Sequence, residues 1–273
     1  NVWVSIAVIA VLLILVGAGF GLLFKPDLQP TQPPAALIQT ASPTSAPAPT
    51  LQPRWQALAP MKIPRSGLAV AAMNSTLYAI GGETDQSLTG SLEAYDPDSG
   101  AWTELTPLPL PVADIQAAAL GGRLYVPGGR MEDGRLTDKL QISDPLRDAW
   151  ENGADLPYPV SAYALAAWEG RLYLFGGWDG ERASAGVLIF DPSLGAWSQG
   201  SPMPASRMYC AAAPAGGKIY VLGGYDGQQP LSVNEAYSPS LEGTGISPWS
   251  VATPLPEVRY AKGVASVDDT IVV

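Results

Sequence analysis

Four near-copies of one short stretch recur along this chain at an almost constant interval. The clearest are Ile219-Tyr-Val-Leu-Gly-Gly-Tyr-Asp-Gly227 and Leu172-Tyr-Leu-Phe-Gly-Gly-Trp-Asp-Gly180. Two looser copies precede them, Leu124-Tyr-Val-Pro-Gly-Gly129 and Leu77-Tyr-Ala-Ile-Gly-Gly82. Their first glycines are Gly81, Gly128, Gly176 and Gly223, which gives a period of 47, 48 and 47 residues. A fixed period of this size marks a repeat architecture, in which each unit buries its apolar faces against its neighbours.

Each repeat carries more than its glycines. A run of small apolar residues comes first: Leu68-Ala-Val-Ala-Ala72, Ala117-Ala-Ala-Leu120, Ala164-Leu-Ala-Ala167 and Ala211-Ala-Ala213. After the glycines comes a strand closing on a turn, at Tyr95-Asp-Pro97, Ser143-Asp-Pro145, Phe190-Asp-Pro192 and Tyr237-Ser-Pro239. A tryptophan follows (Trp102, Trp150, Trp197, Trp249), then a proline signal at Pro109, Pro157, Pro204 and Pro256. Four short strands per unit with Gly and Pro punctuation make one blade of a β-propeller. Blade one is expected to have strands near 67–73, 76–81, 91–96 and 101–105.

This pattern resembles the kelch repeat: a double glycine, an aromatic-Asp-Pro turn, a tryptophan and a Met/Leu-Pro ending. The resemblance covers roughly Arg54 to Val273, about four-fifths of the chain. It implies an all-β, kelch-type propeller of four-stranded blades over 54–273. Four full blades run approximately Met61–Pro109, Leu110–Pro157, Tyr158–Pro204 and Ala205–Pro256, and a partial fifth opens at Glu257. Kelch-like rings usually hold six or seven blades, so the ring is expected to be incomplete here. Arg54-Trp-Gln-Ala-Leu-Ala-Pro60 reads as the tail of a further blade, with Trp55 in a closing strand one period before Trp102.

Two segments precede the repeats. Val2 to Phe24 is an apolar run of 23 residues without a charge. As a helix at about 1.5 Å per residue it is long enough for a bilayer core of about 30 Å, so 1–24 is expected to be a transmembrane helix. Residues 25–53 hold eight prolines, six Ser/Thr and two charges, the composition of an extended Pro/Ser/Thr-rich linker. Together they predict a single-pass membrane protein with its propeller on the extracytoplasmic side. The chain starts at Asn1 rather than methionine, so a preceding segment is expected.

Composition narrows the chemistry. The net charge is −10 without a basic block, which argues against nucleic acid as a partner of this segment. There is no histidine, the commonest general acid/base and transition-metal ligand, so no metal or other cofactor is expected. Copper oxidases built on kelch propellers resemble this fold but depend on histidine ligands. Cys210 is the only cysteine, which precludes an internal disulfide, and it reads as a small buried hydrophobe. No catalytic residue is assigned.

The glycines, tryptophans and Asp-Pro turns are architecture, so function is expected on variable positions at the ring mouth. Two sets qualify as ligand-binding candidates. Before each first strand the aligned positions read Arg65, Val112, Val160, Arg207 and Arg259. In many kelch domains similar arginines face the central mouth and grip acidic partners, which the resemblance implies here. The alternative is that each pairs with a local carboxylate or carbonyl. After the glycine pairs stand Glu83, Arg130, Trp178-Asp179 and Tyr225-Asp226. An aromatic ring beside an aspartate suits a sugar, although Asp-Gly is also a plain turn signal. The expected function is therefore a membrane-anchored module binding a protein or glycan, as a sensor in one version. The alternative is a carbohydrate-active enzyme of the kelch type that resembles the sialic acid mutarotases.

Overall fold

The computed structural model describes residues 57–261, 263–267 and 269–273. The apolar run 2–24, the Pro-rich segment and Trp55 lie outside the described residues. Four antiparallel sheets of four strands follow one another, each in simple sequence order. Blade one is β1 (Ala69–Met73), β2 (Thr76–Ile80), β3 (Leu92–Asp96) and β4 (Ala101–Leu105). Blade two is β5 (Ala118–Leu120), β6 (Arg123–Pro127), β7 (Leu140–Asp144) and β8 (Ala149–Asn152). Blade three is β9 (Ala164–Trp168), β10 (Arg171–Phe175), β11 (Val187–Asp191) and β12 (Ala196–Gly200). Blade four is β13 (Ala211–Ala215), β14 (Lys218–Leu222), β15 (Asn234–Tyr237) and β16 (Trp249–Val251). A two-stranded sheet, β17 (Ala265–Val267) and β18 (Thr270–Val272), begins a fifth blade. The strands of blade one fall within a residue or two of the expected spans.

Turn chemistry explains why each repeat opens as a hairpin. The turns between the first two strands are Asn74-Ser75, Gly121-Gly122, Glu169-Gly170 and Gly216-Gly217, and all eight residues have positive φ. Two successive left-handed residues are what a two-residue hairpin with the right-handed strand twist needs.

The hydrophobic core lies between blades. Along β6, Leu124 and Val126 enter a cluster with Ala69, Ile80 and Leu92 of blade one. Tyr125 between them points the other way, into a cluster with Leu172 and Phe190 of blade three. On β10, Leu172 and Leu174 join that same cluster, whereas Tyr173 and Phe175 meet Ile219 and Tyr237 of blade four. This is the two-residue side-chain period of a strand buried on both faces. The inner strands β1, β5, β9 and β13 lie beside one another around the axis. Alanine dominates these strands, and its small side chain suits strands packed side by side.

Two repeated backbone contacts tie blade to blade. The second glycine of each pair donates to the next blade's lead-in: Gly82 to Val112 O (2.9 Å), Gly129 to Val160 O (2.8 Å), Gly177 to Arg207 O (2.9 Å) and Gly224 to Arg259 O (2.8 Å). Gly177 illustrates why glycine is needed. Its φ is +104°, and a Cβ there would stand 2.6 Å from the Ser161 carbonyl oxygen.

Two residues after each lead-in position runs a second tie. Asp114 N donates to Gly67 O (2.9 Å), Ala162 N to Asp114 O (2.7 Å), Tyr209 N to Ala162 O (2.6 Å) and Ala261 N to Tyr209 O (3.0 Å). Gly67, Asp114, Ala162, Tyr209 and Ala261 all take the left-handed conformation, with φ between 49° and 61°. They form a continuous hydrogen-bonded ladder from blade to blade. Four of the five lack glycine's freedom, so the ladder is held against local preference.

The tryptophans add an outer tie. Trp102 Nε1 donates to Ala59 O (2.8 Å), Trp150 to Thr106 O (2.8 Å), Trp197 to Ala154 O (3.0 Å) and Trp249 to Ser201 O (3.0 Å). Ala59 thus fills the role that Thr106, Ala154 and Ser201 fill in the three repeats that follow. The four indoles are half-buried rather than sealed within the wedge between blades.

Candidate functional site

The residues after the glycine pairs are equivalent in space as well as in sequence. Glu83, Arg130, Trp178 and Tyr225 each form isolated bridges on both sides, for example Ser66–Glu83–Leu88 and Met208–Tyr225–Pro230. Each is a one-residue extension of its second strand beyond the glycine kink. Its backbone is fixed on two sides, so its side chain is presented from a rigid scaffold at one end of the blades.

In blades one and two these side chains meet. The Arg130 guanidinium binds the Glu83 carboxylate of the preceding blade through Nη2, and Asp114 through Nε at 2.8 Å. The side chains of Arg130, Glu83 and Asp114 remain 30%, 44% and 20% exposed. The hydrogen bond that Arg130 donates to Asp114, then the one to Glu83, outweighs burial and holds Arg130 above even the ordinary arginine value. The two carboxylates neutralise the guanidinium charge, which weakens its pull on a further anion.

In blades four and five the rings meet. Tyr260 lies 6.4 Å from Tyr209 with planes at 62°, and 5.7 Å from Tyr225 at 42°. Burial, then the negative charge of Asp114, pushes the Tyr209 hydroxyl above its ordinary value, with Arg130 opposing. The tyrosine wall therefore borders the carboxylate cluster. Asp114 and Tyr209 are ladder residues, and Tyr260 precedes one. Reasoning from sequence does not select these three, although repeat alignment shows Asp114 and Tyr209 standing where other blades have Gly67 and Ala162.

The remaining candidates are placed otherwise. Trp178 holds the equivalent ring position in blade three and is partly exposed. The Oδ1 of Asp179 accepts from the backbone N–H groups of Glu181 and Arg182, both at 2.9 Å. Asp226 does the same for Gln228 and Gln229 at 2.7 and 2.8 Å. These bonds hold both carboxyls below the ordinary aspartate value, for Asp179 against the upward push of burial. Each aspartate shapes the tip of its own loop.

Two of the three arginines lie inside their blades rather than at the mouth. The Arg65 side chain is fully buried, bound to the equally buried Glu93 and donating to Ile63 O and Ala79 O at 3.0 Å. Arg207 is likewise buried, 2.8 Å from Glu235. The two valines at the aligned positions, Val112 and Val160, are core residues. Arg259 is half-exposed and reaches Glu257 at 3.5 Å.

The stacked four-stranded blades, the glycine ties and the mouth above them define a β-propeller. The profile described as KLHDC2/KLHL20/DRC7 Kelch-repeats domain matches residues 67–273, and the chain belongs to the kelch-repeat β-propeller family. Among solved structures, one titled "Structure of YjhT" is similar with a TM-score of 0.71 at 16% sequence identity. That match covers 80% of this chain and 79% of that one. At that identity the likeness speaks for the fold. A search of curated proteins gave no match.

Proposed function

We propose that the protein is a membrane-anchored binding module whose propeller takes a protein or glycan ligand at its mouth, on the extracytoplasmic side. One observation carries this reading. Side chains from successive blades converge at one end, with Glu83, Asp114 and Arg130 forming a partly exposed charged cluster beside the rings of Tyr209, Tyr225 and Tyr260. Such a surface, variable between repeats on an invariant scaffold, suits recognition. The apolar run 2–24 and the Pro-rich stretch after it support the anchor and a spacer, which also fits a sensor role.

The test is capture of envelope proteins and glycans by the full chain in detergent, beside chains carrying Glu83→Gln or Trp178→Ala. Loss of capture in the variants supports the mouth. Undiminished capture by both would remove it. Sugar turnover, lost in Glu83→Gln with the sugar still bound, would instead favour the mutarotase-like enzyme. Asp179 and Asp226 are held below the ordinary aspartate value, which does not suit either as a general acid.

A further inference from the structure

The mouth is chemically lopsided, and the asymmetry selects a ligand. Glu83, Asp114 and Arg130 together carry one surplus negative charge, with the single cation already tied to both anions. The Asp179 and Asp226 loop tips add carboxylates to the same end of the next two blades. An anionic ligand meets net repulsion here, and the Arg130 charge is already answered by two carboxylates.

On the other side stand three tyrosines, Tyr260 meeting Tyr209 edge-on and Tyr225 at a tilt, so that none is stacked face to face on another in these contacts. Tyr260 is 52% exposed, and Tyr209 and Tyr225 are half-buried. Ala162, the ladder residue between Asp114 and Tyr209, presents only a methyl group, and across it the Asp114 carboxylate acts on the Tyr209 hydroxyl. Arg259, adjacent to Tyr260, directs its guanidinium to Glu257 at 3.5 Å. Aromatic faces carry the negative end of the ring quadrupole, and with a carboxylate beside them they complement a cation that has an apolar shell.

We infer that this half of the mouth is a seat for an alkylammonium group, contacting the faces of Tyr209, Tyr225 and Tyr260, with Asp114 as the countercharge. A lysine side chain of a partner and a small quaternary ammonium compound share that chemistry. The inference rests on the mouth being the ligand face, and it names what that face takes.

The experiment is calorimetric titration of the full chain with four probes. These are tetramethylammonium, a blocked Gly-Lys-Gly peptide, its Nε-trimethyl form, and the neutral tert-butyl isostere of the latter. The trimethyl peptide is expected to bind about ten-fold tighter than the isostere and to weaken as salt rises. Tyr260→Leu should lower its affinity about five-fold, Tyr260→Phe should retain most of it, and Asp114→Asn should lower it to a similar degree. Tetramethylammonium matching the trimethyl peptide assigns the seat to a small quaternary ligand. A clear preference for the peptides assigns it to lysine. Equal binding of the isostere, no effect of Tyr260→Leu, or no binding of any cation overturns the seat. Envelope capture that survives Tyr260→Leu but fails with Glu83→Gln and Trp178→Ala keeps the mouth and removes the seat.

Discussion

Arg207 lies wholly buried with its Nη2 2.8 Å from the Glu235 carboxylate, a pair repeated in blade one by Arg65 and Glu93. Glu93, Gln141, Leu188 and Glu235 occupy the same place in their blades, paired across the second and third strands with Ala79, Val126, Leu174 and Val221. The lead-in partners are Arg65, Val112, Val160 and Arg207. Arginine therefore occurs where the strand offers glutamate, and valine where it offers glutamine or leucine. In blade two, Gln141 holds the lead-in backbone instead, accepting from Leu110 N at 2.8 Å and donating to Leu110 O at 3.0 Å. Blade three does without polar groups at this place.

That comparison within one chain predicts a stability cycle. Glu235→Ala strands a buried guanidinium and should cost about 3–5 kcal/mol. Arg207→Val combined with Glu235→Leu copies the Val160–Leu188 pair of blade three and should come within about 1 kcal/mol of the parent, because a matched apolar pair avoids desolvating two ions. Urea denaturation of the parent, Glu235→Ala, the single variants Arg207→Val and Glu235→Leu, and the double variant measures this. A double variant as unstable as the sum of the singles would refute the equivalence of the two pairs.

The ladder predicts opposite effects from two glycine–alanine exchanges. Ala162 sits at φ 52°, where an L-residue is strained and blade one uses Gly67. Ala162→Gly should stabilise the protein by about 0.5–1 kcal/mol. Gly177→Ala places a methyl group against the Ser161 carbonyl oxygen at φ +104° and should destabilise by more than about 1 kcal/mol. Thermal midpoints of the two variants should shift in opposite directions. Movement of both the same way would show that relief of backbone strain does not decide the effect of Ala162→Gly.

The blades were legible because their signals are local. Double glycines, hairpin turns and small-residue strands act within a few residues and repeat four times, so each copy confirms the others. The ladder was not legible, because its hydrogen bonds join residues a whole repeat apart and Asp114, Ala162 and Tyr209 share no side-chain chemistry. The direction of Arg65 and Arg207 depends on carboxylates 28 residues downstream that become neighbours only in the folded sheet. Covariation between lead-in and third strand was nonetheless present in the four repeats. At the mouth, Glu83, Arg130 and Tyr225 stood out by their place after the glycines. Their partners Asp114, Tyr209 and Tyr260 lie on another element and needed the fold to bring them there.

Trp249 joins blade four to blade three in two ways. Its Nε1 donates to Ser201 O at 3.0 Å, and its ring lies 5.8 Å from Phe175 and 5.0 Å from Tyr237. Trp249→Phe keeps the ring contacts and loses the hydrogen bond, at about 1 kcal/mol. Trp249→Ala loses both and should cost about 3 kcal/mol, the low end for a large aromatic because the indole is half-buried. Equal costs for the two would place the whole effect in the hydrogen bond.

Stability should fall at both ends of the pH scale, for different groups. Burial pushes Glu93 and Glu242 up, but hydrogen bonds outweigh it and hold both below the ordinary glutamate value of 4.5. Arg65 and Lys62 N–H bind Glu93. The Tyr237 hydroxyl (2.5 Å) and Ser201 bind Glu242. A carboxyl depressed in the folded state binds fewer protons there than in the unfolded chain. Its contribution is complete above about pH 4.5 and is lost as pH falls through the folded value. Tyr163 and Tyr237 are shifted the other way, raised mainly by burial. Their contribution is complete below the ordinary tyrosine value of 10.0 and is lost as pH climbs from there toward the folded value. Thermal midpoints should be flat between about pH 5 and 9 and drop on either side. Glu242→Gln should start lower at pH 7 and show a shallower acid limb. In an alkaline titration at 295 nm, two of the eleven tyrosines should stay protonated until the protein unfolds. Their ionisation near pH 10 with the fold intact would show that the Tyr163 and Tyr237 hydroxyls are reached by solvent.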